Sequence, residues 1–164
     1  MKKLYLIGGT MGVGKTTTCQ LLKHQLHNSV FLDGDWCWDS HPFQVTDETK
    51  EIVMDNICYM LNNFIHCSSY DHIIFCWVMH QQEIIDKIIS RLDLIDVKVI
   101  KISLICHKQA LMQRLSLDVE KGIRNEDVLN RSVERIALYH QLDTIKIDVS
   151  DKTVEEVAEN IMKL

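Results

Sequence analysis

Hydrophobic and polar positions follow two alternating patterns along the whole chain. Five short runs are rich in β-branched and apolar residues, as buried strands are, and they span residues 4–7, 30–32, 73–78, 97–104 and 144–147. Between these runs, apolar residues recur at steps of three and four, which is the spacing of one face of a helix. The clearest helical stripes are Val53, Ile57, Met60, Leu61 and Phe64; Ile85, Ile88, Ile89 and Leu92; Leu129, Val133, Ile136 and His140; and Val154, Val157, Ala158, Ile161 and Met162. Thr153 and Glu156 predict a capping box that begins the last helix.

The alternation of strand and helix predicts an α/β protein. Parallel strands joined by right-handed helical crossovers give a three-layer α/β/α sandwich with a five-stranded parallel sheet. No repeat, low-complexity tract or Pro-, Gly- or Ser-rich linker interrupts the pattern, so we expect a single domain over residues 1–164. Residues 116–127 form the one polar, loosely patterned segment.

Composition excludes several classes of protein. The 164 residues are one domain's length, and 46% hydrophobic with 25% charged residues is ordinary for a globular protein. The net charge is −5, from 18 basic and 23 acidic residues, and the basic residues do not cluster, so we expect no nucleic-acid partner. The longest apolar run, residues 73–79, is far below the roughly 20 residues of a spanning helix. We therefore expect a cytoplasmic protein, monomeric or homodimeric, that does not enter a membrane.

Cysteine and histidine spacing gives no sign of a structural metal. The six cysteines form no C-x-x-C pair and lie mostly in apolar segments, which is typical of buried, reduced thiols. The eight histidines are scattered, without H-E-x-x-H or mixed Cys/His ligand spacing.

Residues 9–16 read Gly-Thr-Met-Gly-Val-Gly-Lys-Thr and match the phosphate-binding loop G-x-x-x-x-G-K-[ST], with a strand before it and a helix after it. Glycines let the backbone approach phosphate oxygens, and the N–H groups at the helix N-terminus point at the anion. Lys15 would meet the β- and γ-phosphates of ATP, and the Thr16 hydroxyl would bind Mg²⁺. The glycine spacing does not fit a G-x-G-x-x-G dinucleotide site. The predicted nucleotide-binding residues are Gly9, Thr10, Met11, Gly12, Val13, Gly14, Lys15, Thr16 and Thr17.

Two carboxylates follow the second predicted strand, where residues 31–35 read Phe-Leu-Asp-Gly-Asp. Ligands of parallel sheets sit beyond the carboxyl ends of the strands, so Asp33 and Asp35 should face the same crevice as the phosphate loop. If the chain is still extended there, both carboxylates project to one side. One carboxylate can then hold waters around Mg²⁺ while the other orients an acceptor hydroxyl and takes its proton. The alternative is that Asp-Gly-Asp is only a solvated turn.

The phosphate loop together with residues 31–35 resembles the small P-loop kinases that phosphorylate metabolites. Residues 31–35 are similar to a stretch of the gluconate kinases, adenylylsulfate kinases have a similar Leu-Asp-Gly-Asp, and shikimate kinases carry a comparable acidic pair. The layout also resembles that of tunicamycin-resistance proteins and chloramphenicol phosphotransferases. The resemblance implies the P-loop NTPase fold and an ATP- and Mg²⁺-dependent kinase acting on a hydroxyl of a small molecule. It implies that Asp33 contacts the magnesium shell and that Asp35 contacts the acceptor.

The sequence departs from these kinases at two places. Past Asp35 it continues Trp-Cys-Trp-Asp-Ser-His-Pro, where gluconate kinases have a Leu-His-Pro type segment, so the acceptor should differ. The third strand ends in Met79-His80 without a Walker B carboxylate, so Mg²⁺ would rely on Thr16, the phosphates, water and Asp33. These departures leave a second hypothesis open, a nucleotide-binding resistance or regulatory protein that binds a small ligand without phosphorylating it. A GTPase is disfavoured because Asn-Lys-x-Asp is absent.

The resemblance also implies a lid over residues 116–127 and arginines that close over the phosphates. Arg124 in the lid and Arg131 on the next helix would join Lys15 and Asp35 as catalytic residues, with Arg135 a weaker candidate and Asn125 the helix cap. Ordinary salt-bridged helix surface is the alternative for these arginines. Arg114, on a helix over residues 108–115, would stack on the adenine or else be solvent-exposed. We expect Lys15, Arg114, Lys121, Arg124 and Arg131 to form a positive crevice.

Aromatic residues near the strand ends suggest how an acceptor could be held. Trp36 is predicted to line the acceptor pocket, because an aromatic face there could hold a flat or apolar molecule. For Trp77, core packing is the favoured interpretation. His80 either touches the acceptor or covers the neighbouring helix.

Overall fold

Five strands form one parallel sheet in the computed structural model of the chain, which describes residues 1–122 and 127–164. The strands are β1 (Lys2–Gly9), β2 (Ser29–Asp33), β3 (His72–Trp77), β4 (Val97–Ile105) and β5 (Ile145–Asp148). Their spatial order is β2-β3-β1-β4-β5, and every neighbouring pair is parallel. The predicted sheet is therefore confirmed.

Helices cover both faces of this sheet. They are α1 (Lys15–Gln25), α2 (Asp47–His66), α3 (Gln82–Ile89), α4 (Lys108–Glu120), α5 (Asp127–Gln141) and α6 (Val154–Met162), with a 3₁₀ turn at Gly34–Cys37. Side chains alternate across a strand, so Tyr5 and Ile7 of β1 join one core with α1, α4 and α6, while Leu4 and Leu6 join the other with α2 and α3. These two cores give the predicted three layers. Among the described residues, no helix is both long and apolar enough to cross a bilayer.

Capping residues explain where two helices begin. Thr153 and Glu156 form the predicted capping box of α6, and Thr46 with Thr49 forms a second one at α2. Of the six cysteines, all free, Cys37 and Cys67 are half-buried and the other four are buried.

Three predicted details are wrong. α4 continues to Glu120, so the first five residues of the predicted lid are helical. Lys121 is the C-cap, and Gly122 follows with a positive φ of 69°, which is common just after a helix. His140 is exposed, whereas its neighbour Tyr139 is buried. Leu92 lies beyond the end of α3. Arg124 and Asn125 lie outside the described residues.

Candidate active site

The phosphate loop connects β1 to α1 in a conformation that depends on its glycines. Gly12 and Gly14 have φ of 85° and 95°, in the left-handed region that favours glycine, and Gly14 caps α1. A Cβ on Gly12 would lie 2.4 Å from Cδ2 of Leu115, so α4 packs directly against the loop. A Cβ on Gly9 would lie 2.9 Å from the carbonyl oxygen of Leu104. The loop is thus enclosed by β4 and α4 as well as by its own flanking elements.

Lys15 lies within the curve of this loop. Its Nζ donates hydrogen bonds to the carbonyl oxygens of Gly9, at 2.8 Å, and Thr10, at 3.2 Å. Burial lowers the pKa of Lys15, while the nearby Cys76, Asp35 and Asp33 oppose that shift. The ammonium group is therefore held at the centre of the loop, where a phosphate would meet it.

Asp33 joins the phosphate loop to the end of β2. The Thr16 hydroxyl donates a hydrogen bond of 2.8 Å to Oδ2 of Asp33, and the backbone N–H of Asp35 donates one of 3.1 Å to Oδ1. Asp33 is only 5% exposed, so these two bonds compensate much of the cost of burying its carboxylate. A hydroxyl and a carboxylate in contact are oxygen donors of the kind Mg²⁺ prefers, with phosphates and water completing the shell. The described residues contain no group of three or more His, Cys, Asp or Glu side chains placed to hold a metal.

The predicted extended geometry of Asp33 and Asp35 is wrong, because β2 ends at Asp33 and the 3₁₀ turn begins at Gly34. The turn lies on the indole of Trp77, since a Cβ on Gly34 would be 2.5 Å from Cγ of that ring. Both carboxylates nevertheless line one cavity of about 300 Å³. The described lining residues are Met11, Gly12, Gly14, Lys15, Thr16, Thr17, Asp33, Asp35, Val78, Arg114 and Asp118.

Arg114 is neither solvent-exposed nor simply part of the helix surface. Its Nη2 donates to the carbonyl oxygen of Val149 at 2.7 Å, and Nη1 donates to that of Val13 at 3.4 Å. The guanidinium thereby joins α4, the phosphate loop and the segment after β5. It also lines a second cavity of about 290 Å³, formed with Thr17, Lys152 and their neighbours. The phosphate loop and Arg114 therefore separate two cavities, one of which contains the carboxylates.

Helix α5, which carries Arg131 and Arg135, contacts the phosphate loop through its backbone. The buried hydroxyl of Thr10 donates a hydrogen bond of 2.8 Å to the carbonyl oxygen of Ser132, one residue after Arg131. Arg131 is exposed, whereas Arg135 is half-buried. Burial, and then the positive charge of Arg135, lower the pKa of His80, which a hydrogen bond with the Val78 backbone partly offsets. His80 is thus next to α5, and Val78 rather than His80 lines the cavity beside Asp35.

The predicted positive crevice is present only in part. Lys15 and Arg114 line the cavity, as predicted, but three carboxylates line it too. One of these, Asp118, was not predicted; it lies four residues after Arg114, on the same face of α4, which is the signal that could have revealed it. Trp36 is 56% exposed and meets Phe31 edge-on, with ring centroids 5.2 Å apart, next to Asp35 in the turn. Trp77 is half-buried and packs under Gly34.

The fold and the site together define a P-loop domain with the architecture of the small-molecule kinases. Residues 6–137 match the family model described as AAA domain, and the chain belongs to that family. The tunicamycin resistance protein of Deinococcus radiodurans has a similar structure, with a TM-score of 0.73 and 17% identity, over 99% of this chain and 95% of that one. No curated protein sequence matches the chain.

Two kinases are also similar in structure. A gluconokinase from Sinorhizobium meliloti has a TM-score of 0.68 and 15% identity, over 98% of this chain and 96% of that one. A shikimate kinase from Aquifex aeolicus has a TM-score of 0.59 and 20% identity, over 98% and 94%. The resemblance of the sequence to small P-loop kinases is thus confirmed for the fold.

Proposed function

We propose that the protein is an ATP-dependent phosphotransferase acting on a hydroxyl group of a small molecule. One observation carries the proposal: Thr16, Asp33 and Lys15, which suit Mg²⁺ and phosphate, line the same cavity as Asp35. An exposed carboxylate in the same cavity as the phosphate loop can take the proton of an acceptor hydroxyl. The gluconokinase and the shikimate kinase are kinases by name, which supports the proposal.

Each residue has a defined part in the proposed reaction. Lys15 and the loop N–H groups bind the β- and γ-phosphates, and Thr16 and Asp33 hold Mg²⁺, which when bound neutralises charge on the phosphates. Asp35 accepts the proton of the acceptor hydroxyl as the oxygen of that hydroxyl bonds to the γ-phosphorus. The bond from that phosphorus to the β-phosphate oxygen breaks, and ADP leaves.

The remaining candidate residues surround these groups. Arg114 is proposed to contact the adenine from the second cavity, where Thr17 also lies. Arg124, in the proposed lid that follows α4, and Arg131 on α5 would spread the charge of the transferring phosphoryl group. Trp36 and His80 are proposed to contact the acceptor.

Two variants test this assignment. Lys15→Ala should abolish turnover while circular dichroism and thermal unfolding show an intact fold. Asp35→Asn should lower kcat far more than it weakens nucleotide binding, because the carboxylate acts on the acceptor. Asp96→Asn is the matched control, since Asp96 is an exposed carboxylate just before β4, at the opposite edge of the sheet. Unchanged turnover in Lys15→Ala would refute the proposal, and loss of ATP binding in Asp35→Asn would make Asp35 a structural or metal residue.

A second candidate function is binding of a small ligand without phosphorylation. The third strand leads into Met79-His80 and brings no carboxylate to the magnesium site, and one structural neighbour is a resistance protein by name. Mass spectrometry after incubation with ATP and a panel of sugars, nucleosides and antibiotics separates the two functions. A ligand that binds but never gains the mass of a phosphate would favour this second function.

A further inference from the structure

The segment from the end of β2 to the start of β3 is acidic. Residues 34–71 contain seven acidic residues and one basic residue, a net charge of −6, against −5 for all 164 residues. The segment has no arginine, and its one lysine, Lys50, is exposed on α2 and pairs with Asp47. Asp35 lines the cavity and Asp39 is exposed four residues further on, so these two carboxylates would repel an anionic acceptor that enters there.

The lysines of α2 and α3 and the arginine just after α3 are already paired with carboxylates of α2. Lys87 of α3 donates to Glu51 at 2.6 Å, and Arg91, two residues after α3, pairs with both Glu51 and Asp55. Arg135 of α5 lies near His80. The paired cations beside α2 are therefore not open to a carboxylate or phosphate group of an acceptor.

Aromatic rings begin directly beside Asp35. The N–H of Trp38 donates to the carbonyl oxygen of Asp35 at 3.0 Å, and the ring of Trp38 lies 5.2 Å from that of Phe43 and 6.4 Å from that of Trp77. Phe43 is 61% exposed, so one edge of this cluster is open to a ligand. We call Trp38, Phe43 and Trp77, with the exposed Asp39 that follows Trp38, the tryptophan surface. Trp36 is not part of it, because its ring packs on Phe31, which belongs to the core on the other face of the sheet.

The tryptophan surface also contains a hydrogen-bond donor without an acceptor. Nε1 of Trp38 is buried, and no group in the described part of the chain accepts its hydrogen. A buried donor is costly to leave unsatisfied, so a ligand oxygen that reached it would be favoured. An acceptor with a second oxygen can supply it while the reacting hydroxyl is at Asp35.

We propose that the acceptor is an amine-bearing alcohol, whose ammonium group binds against the tryptophan surface while its hydroxyl reaches Asp35. Indole faces attract ammonium groups through the ring quadrupole, and Asp35 and Asp39 add attraction of the same sign. This inference rests on the proposed function, because it names the class of acceptor for the same cavity. A site of this kind would bind hydroxy acids and phosphorylated alcohols less well than amine-bearing alcohols.

Two matched series of probes test the charge of the acceptor. The first series has one sugar ring with three charges: glucosamine is cationic, glucose neutral and glucuronate anionic. The second series has a short alcohol with the same three charges: choline, 3,3-dimethylbutan-1-ol and 4-hydroxybutanoate. Binding is measured by tryptophan fluorescence and calorimetry without ATP. We expect the ammonium member to bind tightest in at least one series and the carboxylate member weakest, with a gap of about tenfold or more between them. Equal binding across both series, tighter binding of the carboxylates, or no binding of either cation would overturn the inference.

Variants show whether the tryptophan surface is the site. Phe43→Ala should weaken ammonium binding about fivefold, the effect of losing about 1 kcal/mol of cation–π attraction, and Asp39→Asn should weaken it less. Tyr59→Ala is the control, because Tyr59 is an aromatic residue that is 71% exposed on α2. Thermal unfolding of each variant establishes that it is folded. An effect of Tyr59→Ala equal to that of Phe43→Ala would reject the tryptophan surface.

These results remain separable from the proposed function. Ammonium binding is measured without nucleotide, and phosphate transfer is measured afterwards as a mass shift of the bound probe. Binding without transfer would refute phosphotransfer while the ligand class stands. Transfer to a carboxylate-bearing alcohol and to no amine would support the kinase and refute the ligand class.

Discussion

Replacing Gly12 with alanine tests whether α4 packs directly against the phosphate loop. Gly12 has a positive φ, and its missing side chain leaves the space that Leu115 of α4 occupies. Gly14, two residues on, also has a positive φ, but a Cβ there would meet no atom within 4 Å. Alanine at either position would have an unfavourable backbone conformation, but only alanine at position 12 would also clash with a neighbouring side chain.

The structure gives a magnitude for each substitution. A non-glycine residue in the left-handed region costs about 1–2 kcal/mol, and both alanines incur this cost. At Gly12 the new Cβ would also lie 2.4 Å from Cδ2 of the fully buried Leu115, where carbon atoms prefer separations of about 3.5–4.0 Å. Overpacking of this kind costs about 1–3 kcal/mol more. Gly12→Ala should therefore destabilise the fold by about 2–5 kcal/mol and Gly14→Ala by about 1–2 kcal/mol.

Urea denaturation measures both free energies of unfolding, and Gly122→Ala is a control for backbone strain outside the loop. Gly122 has a φ of 69° and open space around it. Combining Gly12→Ala with Leu115→Ala completes a double-mutant cycle. The double variant should be less destabilised than the sum of the single ones, because removing the leucine relieves the clash. Equal destabilisation by Gly12→Ala and Gly14→Ala, or strict additivity in the cycle, would refute the contact.

Three further predictions concern the site and its support. Asp33→Asn should raise the Mg²⁺ concentration needed for half-maximal activity by about tenfold or more, because the metal loses a carboxylate while the Thr16 hydroxyl keeps an acceptor. An unchanged Mg²⁺ titration would contradict this. Arg114→Gln should raise KM for ATP about tenfold with little change in kcat, because the second cavity loses the guanidinium that is bound to the Val149 carbonyl. Steady-state kinetics measures both constants, and a change in kcat alone would contradict this prediction. Hydrogen bonds from Lys87 and Arg91 lower the pKa of Glu51 from 4.5 to about 2, so the stability that Glu51 contributes is present above pH 4.5 and is lost as the pH falls towards 2. In thermal unfolding, Glu51→Gln should flatten the pH dependence in that interval and leave it unchanged at neutral pH.

Patterns that depend on burial could be predicted from the sequence. The five strands and the stripes of four helices follow from which side chains avoid water, and the phosphate loop follows from a motif whose residues are fixed by its own backbone. Thr153 and Glu156 cap α6 through bonds between near neighbours, which are also visible in the sequence. The end of α4 was predicted wrongly at residue 115, although Gly122 is the first residue after that position that favours ending a helix.

Contacts between distant parts of the chain could not be predicted in this way. Whether the chain stays extended after Asp33 depends on Trp77, which packs under Gly34 from another strand. Arg114 forms its hydrogen bonds to carbonyls of residues 13, 149 and 150, none of which lies near it in the sequence. Asp118 reaches the cavity only because α4 extends past Leu115 over the phosphate loop. Each of these contacts depends on how helices and strands are placed relative to one another, which local sequence patterns do not indicate.

The hydrogen bond from Thr10 to the carbonyl of Ser132 holds α5 to the phosphate loop at one point of the helix. With a rise of about 1.5 Å per residue, Arg131 lies ~1.5 Å from Ser132 along the helix axis, and Arg135 lies ~4.5 Å from it in the other direction. A tilt of α5 about this point moves its far end a long way but its arginines very little. The distance between the loop and either arginine head group is therefore set by side-chain torsions, which change in nanoseconds, and not by movement of the helix.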